Sequence, residues 1–414
     1  MLLALRLKDF RSFADSGQVE LADVNIFIGP NSAGKSNVMT AIELALLGSP
    51  PNASQPLSIS QISSFGSFDS ILRRPYKNRK AAEAEFSIAY QREHFGQRFT
   101  FRRTPSSGST FVHQIEYFAQ PSASKPSLTA VATDAEGTEY RTTHKSKSSR
   151  SIMFYGETPL LRVTDRDQKN LETLEVVPGL PPTSRRHDPV IVRPHRPVPR
   201  SVYVLDDPMM HAEDGRLVSD LLRLWSDEGD RTTRAIIIEN LQRMGLAVAI
   251  EARTLGRRTG PRTAEIRVSP RRKAETATLA DVGYGVSQIL PLLSHDAHLR
   301  GGNLIAYQPE AHLHPRAQSR LADVFVASAA RGNKVYIETH SEHLVLRLQT
   351  LIAGGLDPRK VRVFCVEHDG KQSLITTMTF DEKGIPQTRW PSGFLDTGLD
   401  LARDLAATRR ERTP

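Results

Sequence analysis

The octapeptide GPNSAGKS, Gly29 to Ser36, lies between the apolar run VNIFI, Val24 to Ile28, and an apolar-periodic stretch from Asn37 to Leu47. The order reads strand, loop, helix. In the spacing G-x-x-x-x-G-K-S, small residues turn the chain so that successive backbone N–H groups face a β-phosphate. Lys35 then reaches the β and γ oxygens, and the Ser36 hydroxyl is presented to Mg²⁺. This implies binding of a nucleoside triphosphate.

At 414 residues the chain is long enough for one large α/β domain with insertions, or for two lobes. No apolar stretch reaches the roughly 18 to 20 residues that span a bilayer, and MLLAL, Met1 to Leu5, runs directly into Arg6, Lys8, Asp9 and Arg11. A cytoplasmic location without membrane contact is the expectation. The single cysteine, Cys365, excludes an internal disulfide and a cysteine-based zinc site. A formal charge of +9 suits a polyanion such as DNA, although excess Lys and Arg also serve solubility.

Along the chain, LALRL (Leu3 to Leu7) and the turn-forming DFRSF (Asp9 to Phe13) predict a β hairpin that leads to the loop. Residues 82–120 alternate as antiparallel strands do, for example AEFSIAY, Ala84 to Tyr90. From about 121 to 214 the composition turns basic and Ser/Thr/Pro-rich, with KSKSSR (Lys145 to Arg150), RRH (Arg185 to His187) and RPHR (Arg193 to Arg196). That region is expected to be a variable insertion. Helical periodicity resumes at Leu217, and Gly245 ends a second helix that begins near Thr233.

Three further motifs follow in the second half. DVGYGVSQILPLL, Asp281 to Leu293, sets glycines and Ser287 ahead of an apolar helix; Ser287 is expected to cap it, with Pro291 near its start. NLIAYQPEAHLHP, Asn303 to Pro315, predicts a buried strand that runs into a turn. KVYIETHS, Lys334 to Ser341, predicts another.

In this order and spacing the motifs resemble the ABC-type ATPase heads of the RecF, SMC and OLD (overcoming lysogenization defect) group. Within it they are similar to bacterial predicted AAA-type ATPases with a WPxGF-containing C-terminal extension, WPSGFLD at Trp390 to Asp396, found in anti-phage defence systems. The resemblance covers about residues 1–120 and 215–400. It implies an α/β fold: an ABC-type P-loop ATPase head with an antiparallel β lobe, a helical lobe and a basic inserted region. No heptads indicate a long coiled coil. The implied division is an N-terminal lobe over 1–120, the insertion over 121–214, a signature and switch lobe over 215–360, and an extension over 361–414.

Carried over residue by residue, the resemblance implies that Gly29, Asn31, Ser32, Ala33, Gly34, Lys35 and Ser36 hold ATP, with Ser36 on Mg²⁺. Gln61 stands where the family has its Q-loop glutamine. Gly285, Ser287 and Gln288 correspond to the signature segment, which in this fold approaches the γ-phosphate held by the other protomer. His340 matches the switch histidine.

The chain departs from the family at one position. The strand before the QPE motif ordinarily ends in an acid that holds Mg²⁺ through water, followed by a second acid that polarises the attacking water. Here Tyr307 and Gln308 stand at those positions; Gln at the second occurs among the relatives, so the departure is Tyr307. A phenol titrates near 10, and a glutamine orients water without taking its proton. Three accounts remain open: Glu310 takes over as general base or metal-orienting acid; hydrolysis is slow and ATP serves as a structural or timing ligand; or the site is engineered or mis-transcribed. Glu310, His312 and His314 also form a metal candidate, although HLHP equally suits a turn and the start of a helix.

Val363 to Gly370 faintly resembles the opening of a Toprim nuclease domain, but too little chain follows to complete it. The resemblance therefore implies a head-to-head dimer, or a higher even number of copies, acting as an ATP-gated clamp. Its partners would be DNA and a separate effector such as a nuclease. A non-catalytic ATP-bound scaffold and a RecF-like DNA repair ATPase are the alternatives.

Overall fold

A computed structural model describes residues 2–47, 68–73, 85–92, 96–103 and 110–118, single positions between 120 and 126, the strands between 128 and 176, residues 189–390 with short breaks, and Phe394. Gln61, the basic runs at 145–150 and 185–187, and all of the WPSGFLD segment except Trp390 and Phe394 lie outside the described residues. The chain forms two compact units. One comprises residues 1–22, 29–189 and 364–377; the other comprises 23–28, 190–363 and 378–414.

The first unit is built on an antiparallel sheet. Strands β1 (Leu2–Phe10) and β2 (Phe13–Asp15) make the expected hairpin, and β3 (Val19–Glu20) also pairs with β1. With β4 (Val24–Ile28) assigned to the second unit, the sheet continues through β5 (Phe86–Arg92), β6 (Gly96–Arg103), β7 (Thr110–Phe118), β8 (Leu128–Ala132) and β9 (Tyr140–Thr142). The order is β2-β1-β5-β6-β7-β8-β9.

In β5, FSIAYQR alternates strictly between buried and half-buried positions, as expected for a sheet with one face on the core. That face meets α1 (Lys35–Leu47): the Tyr90 hydroxyl donates to Ala41 O at 2.9 Å, and Arg92 donates to Ala45 O at 2.8 Å. Phe86 stacks on Phe101 at 4.7 Å and meets Phe10 and Phe68, the latter on the short helix α2 (Phe68–Ile71), each at 5.7 Å. Aromatic area of this kind dominates core stability. A separate three-stranded antiparallel sheet of β10 (Ser151–Tyr155), β11 (Thr158–Val163) and β12 (Thr173–Val176) lies within the stretch expected as a basic insertion.

The second unit has parallel strands at its centre: β4, β13 (Val190–Val192), β18 (Asn303–Tyr307) and β19 (Lys334–Glu338), in the order β13-β18-β19-β4. Every residue of β4 and β19 is buried, which is why these strands read as mainly apolar runs rather than alternating ones, with Asn25, Lys334 and Glu338 as buried polar exceptions. A small antiparallel sheet joins β14 (Tyr203–Val204), β15 (Ala249–Leu255), β16 (Thr263–Ser269) and β17 (Ala277–Thr278).

The helices of this unit are α3 (Ala212–Trp225), α4 (Arg231–Arg243), α5 (Tyr284–His298), α6 (Pro315–Ala330) and α7 (Glu342–Ala353). Side chains of Asp230, His314 and Ser341 accept N–H bonds at the starts of α4, α6 and α7, and Gly245 takes a positive φ of 71° just beyond α4. A bidentate Arg347–Asp323 pair at 3.0 and 2.6 Å ties α7 to α6. The last strands, β20 (Val361–His368) and β21 (Ser373–Met378), are divided between the units. The chain thus has the mixed α/β class expected from its sequence, with an antiparallel lobe and a helix-rich lobe. The longest helix among the described residues has 16 residues.

Helix α5 corrects one reading. It begins at Tyr284 with Gly283 as N-cap, so Ser287 lies inside the first turn, where its hydroxyl donates to Tyr284 O at 2.8 Å instead of capping. Pro291 sits in the helix interior rather than near its start. Gly283 and Gly285 let the helix start seven residues ahead of Pro291, and the proline's missing N–H deprives the Ser287 carbonyl of its i+4 donor.

Candidate functional site

The P-loop belongs to the first unit. Gly29 (φ 139°), Ser32 (φ 61°) and Gly34 (φ 112°) take left-handed or glycine-only conformations, which turn the loop into a cradle of main-chain N–H groups. A side chain would not fit at its two glycines: a Cβ on Gly29 would lie 2.0 Å from Val366 O, and one on Gly34 would lie 2.7 Å from Ser373 Oγ and 2.8 Å from Ser12 Oγ.

Lys35, 3% exposed, donates from Nζ to Gly29 O at 2.9 Å and to Pro30 O at 2.8 Å, so its ammonium is held over the loop. Asn31, Ser32 and Ser36 are exposed and Ala33 is buried. Ser373 braces the loop from behind, accepting nothing from it but donating Oγ to Ala33 O at 2.5 Å; its N–H bonds Ser12 O at 2.8 Å. Asn37 donates to Ser12 Oγ at 2.9 Å and accepts from Arg11 at 3.0 Å, fixing the start of α1. A cradle of N–H groups with an ammonium over it and an exposed serine hydroxyl fits a triphosphate and its Mg²⁺.

The QPE turn and His340 meet in the second unit. Gln308 N–H bonds Glu338 O at 2.7 Å, Ala311 N–H bonds Gln308 O, and Leu313 N–H bonds Glu310 O. Two non-glycine residues of this turn, Gln308 (φ 44°) and His312 (φ 65°), are left-handed, a local strain of the kind found at functional loops. Glu310 is 8% exposed, and its Oε1 accepts His340 N–H at 2.7 Å. Its Oε2 is buried without a hydrogen-bond partner among the described residues. Burial pushes the Glu310 carboxyl up, against bonds from His340, its own N–H and Thr339 and the charge of Arg196, all of which lower it.

His340 itself is exposed. His312 packs edge-on against Tyr284 at 4.9 Å, and His314 caps α6. Among the described residues no three His, Cys, Asp or Glu side chains gather as a metal-binding group.

The signature segment packs on the same turn. A Cβ on Gly285 would lie 2.9 Å from His312 O and 3.2 Å from Leu313, so glycine is needed for this close approach. Ser287 (6% exposed) and Gln288 (2%) are buried, and Arg196 donates to Gln288 O at 2.6 Å. The exposed lip of the segment is Gly283 and Tyr284. The structure therefore brings Gly285 to the Gln308–His314 turn, and Glu310 to His340; the P-loop residues lie in the other unit, and Gln61 lies outside the described residues.

Sequence reasoning missed two residues. Arg193 lies over the Tyr307 ring at 5.2 Å, and Glu338, 4% exposed, closes β19 in register with Tyr307. Only the acid that ends the apolar run VYI signalled the second.

Residues 4–173 match a family model described as an AAA domain, and residues 232–345 match one described as an AAA ATPase domain. No curated protein matches the sequence. Among solved structures, an SMC head bound to the C-winged helix domain of ScpA is 12% identical over 92% of this chain and 98% of that one, with a TM-score of 0.45. The SMC head domain from Thermotoga maritima is 14% identical over 91% and 98%, with a TM-score of 0.42. An SMC head with an extended coiled coil, bound to the C-terminal domain of ScpA derived from Pyrococcus furiosus, is 11% identical over 98% and 99%, with a TM-score of 0.45. Both stretches that carry the nucleotide motifs are therefore similar to AAA-type ATPase domains.

Proposed function

We propose that the chain binds Mg²⁺·ATP, hydrolyses it slowly, and closes head to head with a second copy as a clamp that controls a separate effector, such as a nuclease, in anti-phage defence or DNA surveillance. The phosphate cradle carries this reading: positive φ at Gly29, Ser32 and Gly34, two glycines with no room for a Cβ, and a lysine held over the loop. Mg²⁺, when bound, would neutralise phosphate charge beside Ser36. Glu310 acts as general base in this scheme. Its buried Oε2 has an acceptor to offer, burial raises its proton affinity, and His340 N–H fixes its orientation. An uncharged Tyr307 accounts for slow turnover.

Gly283 and Tyr284 supply the surface that meets the partner copy, and the excess of positive charge supports DNA contact. Tyr307 equally favours a scaffold that holds ATP without consuming it.

Sedimentation of the full chain with Mg²⁺·ATP tests the clamp, comparing wild type with Lys35→Ala and Gly283→Arg. Gly283 is exposed and a Cβ there meets nothing within 4 Å, so a side chain can leave the backbone at this position without a clash. Wild type is expected to dimerise only with nucleotide, and both variants to stay monomeric. A wild-type monomer at saturating ATP would refute the clamp.

A further inference from the structure

We propose that Glu338 supplies the metal-orienting carboxylate that the strand ending at Tyr307 lacks, moved one strand sideways. The inference rests on the reading that this chain binds ATP with Mg²⁺.

Tyr307 cannot act as the anion. It is 6% exposed, its side chain carries no carboxylate, and the Arg193 guanidinium covers its ring at 5.2 Å. A cation already occupies the face that a carboxylate's charge would have served.

The parallel register identifies the substitute. Tyr307 pairs with Glu338, and Glu338 pairs with Phe27, so all three stand at one level of the sheet. Register partners in a parallel ladder project to the same face, about 4.8 Å apart from strand to strand. Glu338 therefore presents its side chain on the Tyr307 face, from the strand that lies between β18 and β4. Two residues after Phe27 the chain enters Gly29. The acid has moved one strand along the sheet, to the strand that pairs with β4.

Burial makes this residue costly as mere structure. All five residues of β19 are buried, and a carboxylate closing such a strand carries a desolvation penalty that an apolar residue would avoid. Its carbonyl accepts Gln308 N–H at 2.7 Å, and the two residues that follow it, Thr339 and His340, bond Glu310. One strand end thus positions both acids. Glu310 is left to act as base, and Glu338 to orient the ion through its water shell. In sequence the two are 28 residues apart rather than adjacent.

The test is the affinity of the full chain for a fluorescent ATP analogue, titrated with Mg²⁺ and with EDTA. Mg²⁺ is expected to tighten wild-type binding. Glu338→Gln is expected to lose about 10- to 100-fold of that enhancement while matching wild type in EDTA. Tyr307→Asp added to Glu338→Gln is expected to restore at least part of it, an exchange that a packing role would not allow. Glu338→Asp keeps the charge and retains the fold should the amide fail to; it is expected to lose at least about threefold of the enhancement.

Undiminished Mg²⁺ enhancement in Glu338→Gln or Glu338→Asp would overturn the proposal, as would an equal loss in EDTA. Wild type that binds no nucleotide under either condition would instead bring down the ATP reading itself, and Lys35→Ala, expected to weaken binding with and without Mg²⁺, marks that case.

Discussion

Gly29→Ala probes the cradle at its tightest point. The added methyl would stand 2.0 Å from Val366 O and 3.1 Å from Val366 C, and contacts under 3.0 Å are essentially never made. The loop or β20 must therefore shift by about 1 Å, the difference between 2.0 and 3.0 Å. In addition φ at this position is 139°, a conformation that only glycine adopts freely. Strain of this kind costs about 1–3 kcal/mol before any clash is counted. A displacement of about 1 Å in a positioning loop is worth roughly 10²-fold in function.

Gly17→Ala is the control. Its φ is 64°, and a Cβ there meets nothing within 4 Å, so it isolates the backbone penalty of about 1 kcal/mol. Nucleotide titration and urea denaturation of both variants are the assays. Gly17→Ala is expected to lose about 1 kcal/mol of stability with unchanged ATP affinity, and Gly29→Ala to lose more stability and about 100-fold in affinity. Wild-type affinity in Gly29→Ala would refute the claim that Val366 and Gly29 fix the shape of the loop.

Three further outcomes are expected. Glu310→Gln should keep ATP binding while lowering the rate of phosphate release by about 10²- to 10⁴-fold; an unchanged rate would remove Glu310 as base. Burial and Arg216 depress the His295 imidazole to about 4 despite Asp220 at 3.8 Å, so the unfolded chain takes up this proton near 6.5 and the folded chain only near 4. Stability is then full above pH 6.5 and is lost as pH falls toward 4, by about 3 kcal/mol in all; wild type should lose about 2 kcal/mol more than His295→Gln between pH 7.5 and 5, read from urea midpoints. Phe86→Ala, which removes the ring shared by Phe10, Phe68 and Phe101, should cost about 3–5 kcal/mol in urea unfolding.

What the sequence made legible was local. The P-loop announces itself because its chemistry requires glycines at fixed spacing, and β4, β18 and β19 because strands buried on both faces are mainly apolar. The start of α6 was readable from His314-Pro315, whereas the capping role of Ser341 at α7 was not read. Ser287 misled because two glycines permit a helix to begin earlier than the serine suggests, and a first-turn hydroxyl bonds the preceding carbonyl as readily as it caps.

Glu338 was overlooked for a different reason. Its significance comes from standing beside Tyr307, and register between strands more than 30 residues apart in the chain is not written in either strand alone. Arg193 is hidden in the same way: only the pairing of β13 with β18 brings the basic segment that follows it over the Tyr307 ring.

The brace behind the P-loop has a bearing on how the molecule is made. Ser373 and Ala33, joined by one hydrogen bond, are 340 positions apart, and Val366 is almost as distant from Gly29. During synthesis the octapeptide leaves the ribosome early but lacks its backing until nearly all of the described chain has followed. Contacts of such long range form late, because the intervening chain must first be ordered. Nascent chains halted before Ser373 would carry the complete nucleotide motif without its supporting wall, so competence to bind ATP would be acquired only after the chain through Ser373 has emerged.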